Sequence, residues 1–150
     1  MFTKLARLRK LRWGELVQLP LLLAGVVLVD LALAVFGYRR TLRAVERLSQ
    51  RNAPQVGNLT ALDRARRLAW RVDLVGRHGP VRRSCLRCAL LTYGLLRWRG
   101  LRPILRLGLP VQPQAATFMA HAWVEVEGAP LLPGDARYTP FIPGQPPPPL

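Results

Sequence analysis

The side chains most able to do chemistry in this 150-residue sequence are Cys85 and Cys88, three positions apart, and the histidines His78 and His121. Cys85 follows Ser84, a residue suited to an N-cap, so it is expected in the first turn of a helix. There the helix dipole and the free backbone N–H groups favour a thiolate. Arg82, Arg83 and Arg87 add positive charge nearby. The same N–H groups can form part of an oxyanion hole. One local feature thus offers a nucleophile and a stabiliser for the charge that develops in acyl transfer.

A thiolate in this role needs a base that takes and returns a proton. His78 sits in a Gly-Arg-His-Gly-Pro loop, whereas His121 lies mid-strand between Ala120 and Ala122. A strand holds its ring rigidly and small neighbours admit another element, so His121 is the preferred base. A third group should accept from the imidazole and fix its tautomer. Glu125 shares a strand face with His121 but lies roughly 13 Å along it. Asp135, beyond a turn at Gly128, can reach His121 from a neighbouring strand or loop. Cys85, His121 and Asp135 are therefore the candidate triad.

Other readings of the same residues stay open at this stage. A single cysteine is commonly a small buried apolar group. Cys85-x-x-Cys88 also has the spacing of half a zinc site, with His78, His121 and the carboxylates as the remaining ligands. A thioredoxin-like redox pair would need a preceding βαβ pattern, which the sequence lacks.

The elements that would position these residues follow from periodicity. Residues 1–13 carry Lys4, Arg7, Arg9, Lys10 and Arg12, with Leu5, Leu8 and Leu11 at helical spacing. Residues 16–37 are almost wholly apolar apart from Asp30, and 39–51 continue as a basic helix. The apolar run is long enough to span a membrane. Asp30 argues for a core or peripheral helix instead, because a charge at a bilayer centre costs about 2.5–3.5 kcal/mol. Thr60 to Asp63 has capping-box spacing, and Ala61, Ala65, Leu68, Ala69, Val72 and Val75 form a helical stripe that Gly76 and Gly79-Pro80 should end. A further helix is expected over 84–99, with an apolar stripe of Leu86, Ala89, Leu90, Tyr93 and Leu96 and a stop at Gly100. After residue 103 the period changes. Residues 104–111 read as a strand, and from Ala120 onward His121, Trp123 and Glu125 alternate with Ala122, Val124 and Val126. A short strand over 130–132 should follow. Helices first and an antiparallel meander after make an α+β class, with a Pro-rich tail over 140–150.

The formal net charge is +15, and 22 of the 23 basic residues fall within residues 1–106. Such a surface suits solvent, an anionic membrane or an acidic partner. No recognised nucleic-acid motif accompanies it, so nucleic acid is not an expected partner. No secretory signal is convincing, so the cysteines are read as thiols and the location as cytoplasmic, with membrane association through 16–37 left open.

The stretch RRSCLRCALLTYGLLRWRGLRPILRLGLP, followed by FMAHAWVEVEGAPLL, resembles the transglutaminase-like leader peptidases of lasso-peptide biosynthesis, the B2 proteins. The resemblance rests on Cys85-Leu86 opening a helix, Leu95 to Gly100 ending it, Leu107-Gly108 in a strand, Ala120 to Glu125, and the turn at Gly128. It implies N-terminal helices on a small papain-like core, with a helical region over 1–57, a cysteine-peptidase core over 58–139 and a tail over 140–150. It implies a cysteine endopeptidase in which Cys85 attacks, His121 shuttles the proton and Asp135 orients His121. The substrate would be a ribosomally made precursor peptide. A PqqD-like protein would grip its leader, and an asparagine-synthetase-like cyclase would close the ring. No metal or organic cofactor is implied. A non-catalytic peptide-binding scaffold and a basic membrane-associated protein are the alternatives.

Overall fold

The computed structural model describes residues 18–49, 59–78, 84–110, 120–132 and 135–140. The expected basic helix over 1–13 lies outside them, as does the tail beyond Pro140. Helix α1 is Gln18–Leu48, α2 is Leu59–His78 and α3 is Cys85–Trp98. Strands β1 (Pro103–Pro110), β2 (His121–Val126), β3 (Ala129–Pro130) and β4 (Tyr138–Pro140) form one antiparallel sheet in the order β3-β2-β1-β4. The class is α+β, as expected.

The stripes read from periodicity are the faces that pack. Ala65, Leu68, Ala69 and Val72 of α2 meet Ala89, Tyr93 and Leu96 of α3 in one buried cluster, which Ala122, Val124 and Val126 join from β2. Leu22 brings α1 into the same cluster. Each fully buried leucine or valine of this cluster is worth about 1.5–3 kcal/mol relative to exposure. Helix α3 lies between the other two helices and the sheet, so its first residue is fixed by a core on several sides.

Element ends differ from expectation in instructive ways. Helix α2 begins at Leu59, so Thr60 lies within the first turn and its carbonyl accepts from Arg64 Nε at 3.2 Å. It also runs past Gly76 to His78: a Cβ on Gly76 would collide with the Cys88 sulfur, so this glycine serves close helix packing and not helix termination. Helix α3 ends as the Gly100 stop requires, with Gly100 N–H donating to Arg97 O at 2.9 Å and Leu101 N–H to Leu96 O at 3.0 Å. The strand expected over 130–132 is the pair Ala129–Pro130, joined to β2 through Glu127 and Gly128, both at positive φ (54° and 76°) as a tight hairpin requires. Pro140, assigned by sequence to the tail, is the last residue of β4 and pairs with Gly108.

The long apolar-then-basic stretch is a helix interrupted at Gly37, whose φ of 73° and ψ of 172° are not helical. The apolar half ends there and the arginine-rich half begins. The far end is tied to α3 by polar side chains: Arg97 Nε donates to Ser49 Oγ at 3.2 Å, and Tyr93 hydroxyl donates to Glu46 Oε1 at 3.3 Å.

Candidate active site

Ser84 stands at the N-cap of α3 in an extended conformation (φ −135°, ψ 124°), but its hydroxyl makes no capping bond. The chain therefore enters the helix through backbone geometry, and Cys85 is the first helical residue, as its sequence context suggested. The Cys85 thiol donates to Ala120 O at 3.8 Å, across 35 residues of sequence. This contact seats the helix start against the entrance of β2, where His121 is the next residue.

His121 Nε2 lies 2.8 Å from Asp135 Oδ1. Asp135 opens a single 3-10 turn, Asp135–Arg137, and is only 5% exposed. Its carboxylate is held from the other side by Leu132 N–H, which donates to Oδ2 at 3.3 Å, while Asp135 N–H donates to Leu132 O at 3.1 Å. The acid thus reaches His121 from a turn after the β2–β3 hairpin and not along the strand. Asp135 engages Nε2, so Nδ1 is the ring nitrogen it leaves open.

The electrostatics fit a thiolate–imidazolium pair. A hydrogen bond with His121 lowers the Cys85 pKa from its ordinary 9.0; burial opposes this, and the backbone N–H of Ala122, the charge of His121 and the N–H of Leu86 assist it. Burial alone would lower the His121 pKa, but hydrogen bonds with Asp135 and Cys85, and the charges of both, outweigh it and raise the imidazole to about 9. Cysteine and histidine therefore shift toward one another's charged states, the pattern of an activated nucleophile.

Aromatic rings close over the imidazole. Tyr138 of β4 stacks on His121 with centroids 4.2 Å apart and planes at 30°, and Trp123 lies 5.9 Å away at 12°. Trp123 is 3% exposed even though it lies on the face that alternation assigned opposite to Ala122 and Val124. Its Nε1–H donates to Glu125 Oε1 at 2.9 Å, and Arg106 Nε donates to Glu125 Oε2 at 3.1 Å. Glu125, set aside as a triad member on distance, is occupied in holding Trp123.

Gly108 pairs with His121 on one side and with Pro140 on the other. A Cβ there would collide with the Thr139 carbonyl and come within 2.8 Å of the Trp123 ring. The missing side chain lets β4 close down and deliver Tyr138 onto His121. Sequence reading did not find Tyr138 as a site residue; the only signal was a β-prone Tyr-Thr ended by proline, a pattern suited to an edge strand. Cys88 takes no part in this grouping: its sulfur points to Val72 O of α2 at 4.0 Å. His78 ends α2 and is exposed. Among the described residues, no three His, Cys, Asp or Glu side chains group as a metal site.

Residues 25–143 match the transglutaminase-like superfamily. The chain belongs to that superfamily. The match begins within the apolar half of α1 and ends just after β4, so it takes in every element that positions the site. No curated protein and no solved structure matches the chain. Superfamily membership is consistent with a cysteine-protease type of enzyme, and Cys85 stands at a helix start as that chemistry needs.

Proposed function

We propose that the chain is a cysteine endopeptidase, with Cys85, His121 and Asp135 as nucleophile, general acid–base and orienting group. The observation that carries this reading is the placement of three side chains: the Cys85 sulfur 3.8 Å from the carbonyl of Ala120, the residue before His121, and His121 Nε2 2.8 Å from a buried Asp135. The Cys85 thiolate attacks the scissile carbonyl carbon, and the carbonyl oxygen becomes an oxyanion within reach of the Cys85 backbone N–H at the start of α3. The His121 imidazolium gives its proton to the departing amine as the C–N bond breaks, leaving a thioester on Cys85. His121 then takes a proton from water as that water attacks the thioester, and the thiolate leaves with the acid product released.

The substrate class rests on the Cys85-Leu86 and Ala120 to Glu125 segments, whose pairing resembles the lasso-peptide leader peptidases. On that reading the substrate is a ribosomal precursor peptide, a PqqD-like protein presents its leader, and an asparagine-synthetase-like cyclase takes the freed core. The test combines purified protein, leader-binding partner and precursor, with products read by mass spectrometry. Cleavage at one leader–core bond that disappears in Cys85→Ala is expected. Undiminished cleavage by the alanine variant would refute the assignment.

A further inference from the structure

One face of the apolar half of α1 is packed and the other is not. Leu22, Val26 and Val29 are buried against the protein. Leu21, Leu28, Leu31, Val35 and Phe36 are between 56% and 72% exposed. With exposed Ala24, the positions 21, 24, 28, 31 and 35 recur at helical spacing and make one stripe, about 21 Å long at 1.5 Å per residue. Every exposed residue from Pro20 to Phe36 is apolar. A protein partner typically makes about one hydrogen bond per 100–200 Å² of interface, and this face offers no side chain to take part in one. Hydrocarbon asks for none.

Charge selects the kind of surface. Immediately after the break at Gly37 come Arg39, Arg40, Arg43 and Arg47, all exposed, and the one acid among them, Glu46, is engaged by Tyr93. An apolar helical face continuing into a run of exposed arginines is the pattern that binds anionic lipid. The only charge in the apolar half is turned to the protein: Asp30 pairs with Arg87 of α3 at 2.7 Å.

We propose that α1 lies in the plane of an anionic membrane surface, with the 21/24/28/31/35 stripe in the acyl boundary and Arg39, Arg40, Arg43 and Arg47 on the headgroups. A span is disfavoured by the same contacts. The apolar half is long enough to cross, but crossing would strip Leu22, Val26 and Val29 from the core and break the Asp30–Arg87 pair. Arg87 is two residues from Cys85, so this pair also holds the nucleophile's helix against the membrane-facing one. The inference stands apart from the peptidase reading, since it concerns a different face.

The full chain is mixed with phosphatidylglycerol or phosphatidylcholine vesicles at low salt and binding is read by sedimentation. Tight binding to the anionic vesicles alone is expected. Leu28→Glu with Leu31→Glu should abolish it with circular dichroism unchanged. Arg40→Gln with Arg43→Gln should weaken it about 25-fold, at about fivefold per charge. In a Leu31→Trp variant, brominated lipids should quench the new indole from a depth of about 5–10 Å below the headgroups. No binding by the full chain, retained binding after the glutamate pair, or quenching strongest at the bilayer centre would each overturn the proposal. So would a dimer in solution that the glutamate pair dissolves, because a second copy would then be the occupant.

Discussion

Tyr138 and His121 lie face to face with ring centroids 4.2 Å apart, although they are 17 positions apart in sequence and sit on strands that do not pair with each other. The stack exists because β1 lies between those strands and carries no side chain at Gly108. It fixes the plane of the imidazole while Asp135 fixes its rotation about that plane. Such ring pairs are worth about 0.5–1.5 kcal/mol beyond buried area.

On the proposed peptidase reading, Tyr138 is a positioning residue. Tyr138→Ala should lower kcat by about tenfold to a hundredfold, the range in which small misplacements of a reacting group act, with KM little changed. Tyr138→Phe keeps the ring and should restore most of the rate. Steady-state kinetics on both variants, with Cys85 labelling at several pH values, separates positioning from folding: loss in both variants alike would discard the stacking account.

The pH dependence follows from the two shifts. His121 titrates near 9, above its ordinary 6.5, so its contribution to stability is full below about 6.5 and is lost as pH rises through about 9. Cys85 titrates below its ordinary 9.0, so its contribution is present above 9.0 and is lost as pH falls through the lowered folded value. On the proposed reading, the thiolate–imidazolium form is populated in the interval between the two folded values. Iodoacetamide labelling of Cys85 should rise at a lower pH than that of a free thiol, and turnover should fall again near pH 9. His121→Gln should return the labelling curve toward an ordinary thiol. A wild-type curve already matching a free thiol would leave only a binding scaffold.

Asp135→Asn tests the third position. The carboxylate raises the His121 pKa through its hydrogen bond and charge, so the neutral amide should move the alkaline limb to lower pH. Loss of the orienting charge should cut kcat/KM by roughly a hundredfold to ten-thousandfold, as in comparable triads. An alkaline limb that stays in place would show that Asp135 does not govern His121.

Helical stripes were legible because three or four residues per turn bury one face regardless of what covers it: Ala65, Leu68 and Val72 on α2 and Ala89, Leu90 and Leu96 on α3 were all identifiable by spacing. The site was legible as chemistry, in that Cys85, His121 and Asp135 are suitable residue types in suitable local settings. The seating of Cys85 against Ala120 depends on α3 packing at the mouth of β2, and the His121–Asp135 contact on a turn bringing Asp135 back, which no local pattern encodes. Trp123 was assigned a face by alternation, but its ring meets Tyr138, fifteen positions on, and its N–H is held by Glu125, two residues away. Helix α1 hid its exposed side for the opposite reason: when nearly every position is apolar, periodicity cannot say which face is packed. Strand β4 is three residues long at a sheet edge, too short to register as a period.

Gly108 gives the strongest structural prediction. In Gly108→Ala the new methyl meets the Thr139 carbonyl, a backbone atom that cannot rotate away, and the Trp123 ring at 2.8 Å, which Glu125 and the core hold in place. The strain leaves by displacing β4, the weaker of the two neighbours of β1, with three paired positions against six for β2. Overpacking of this kind costs about 1–3 kcal/mol, which in a chain of this size should lower Tm by several degrees. Ile104→Ala on the same strand, at a side chain 45% exposed, should cost far less. Because β4 carries Tyr138, Gly108→Ala should also lose catalytic rate at temperatures where the protein remains folded, and by about as much as Tyr138→Ala. Thermal melts and kinetics on the two single variants and their combination decide it: losses in rate that multiply in the double variant would mean that Gly108 acts on the site by some route other than Tyr138.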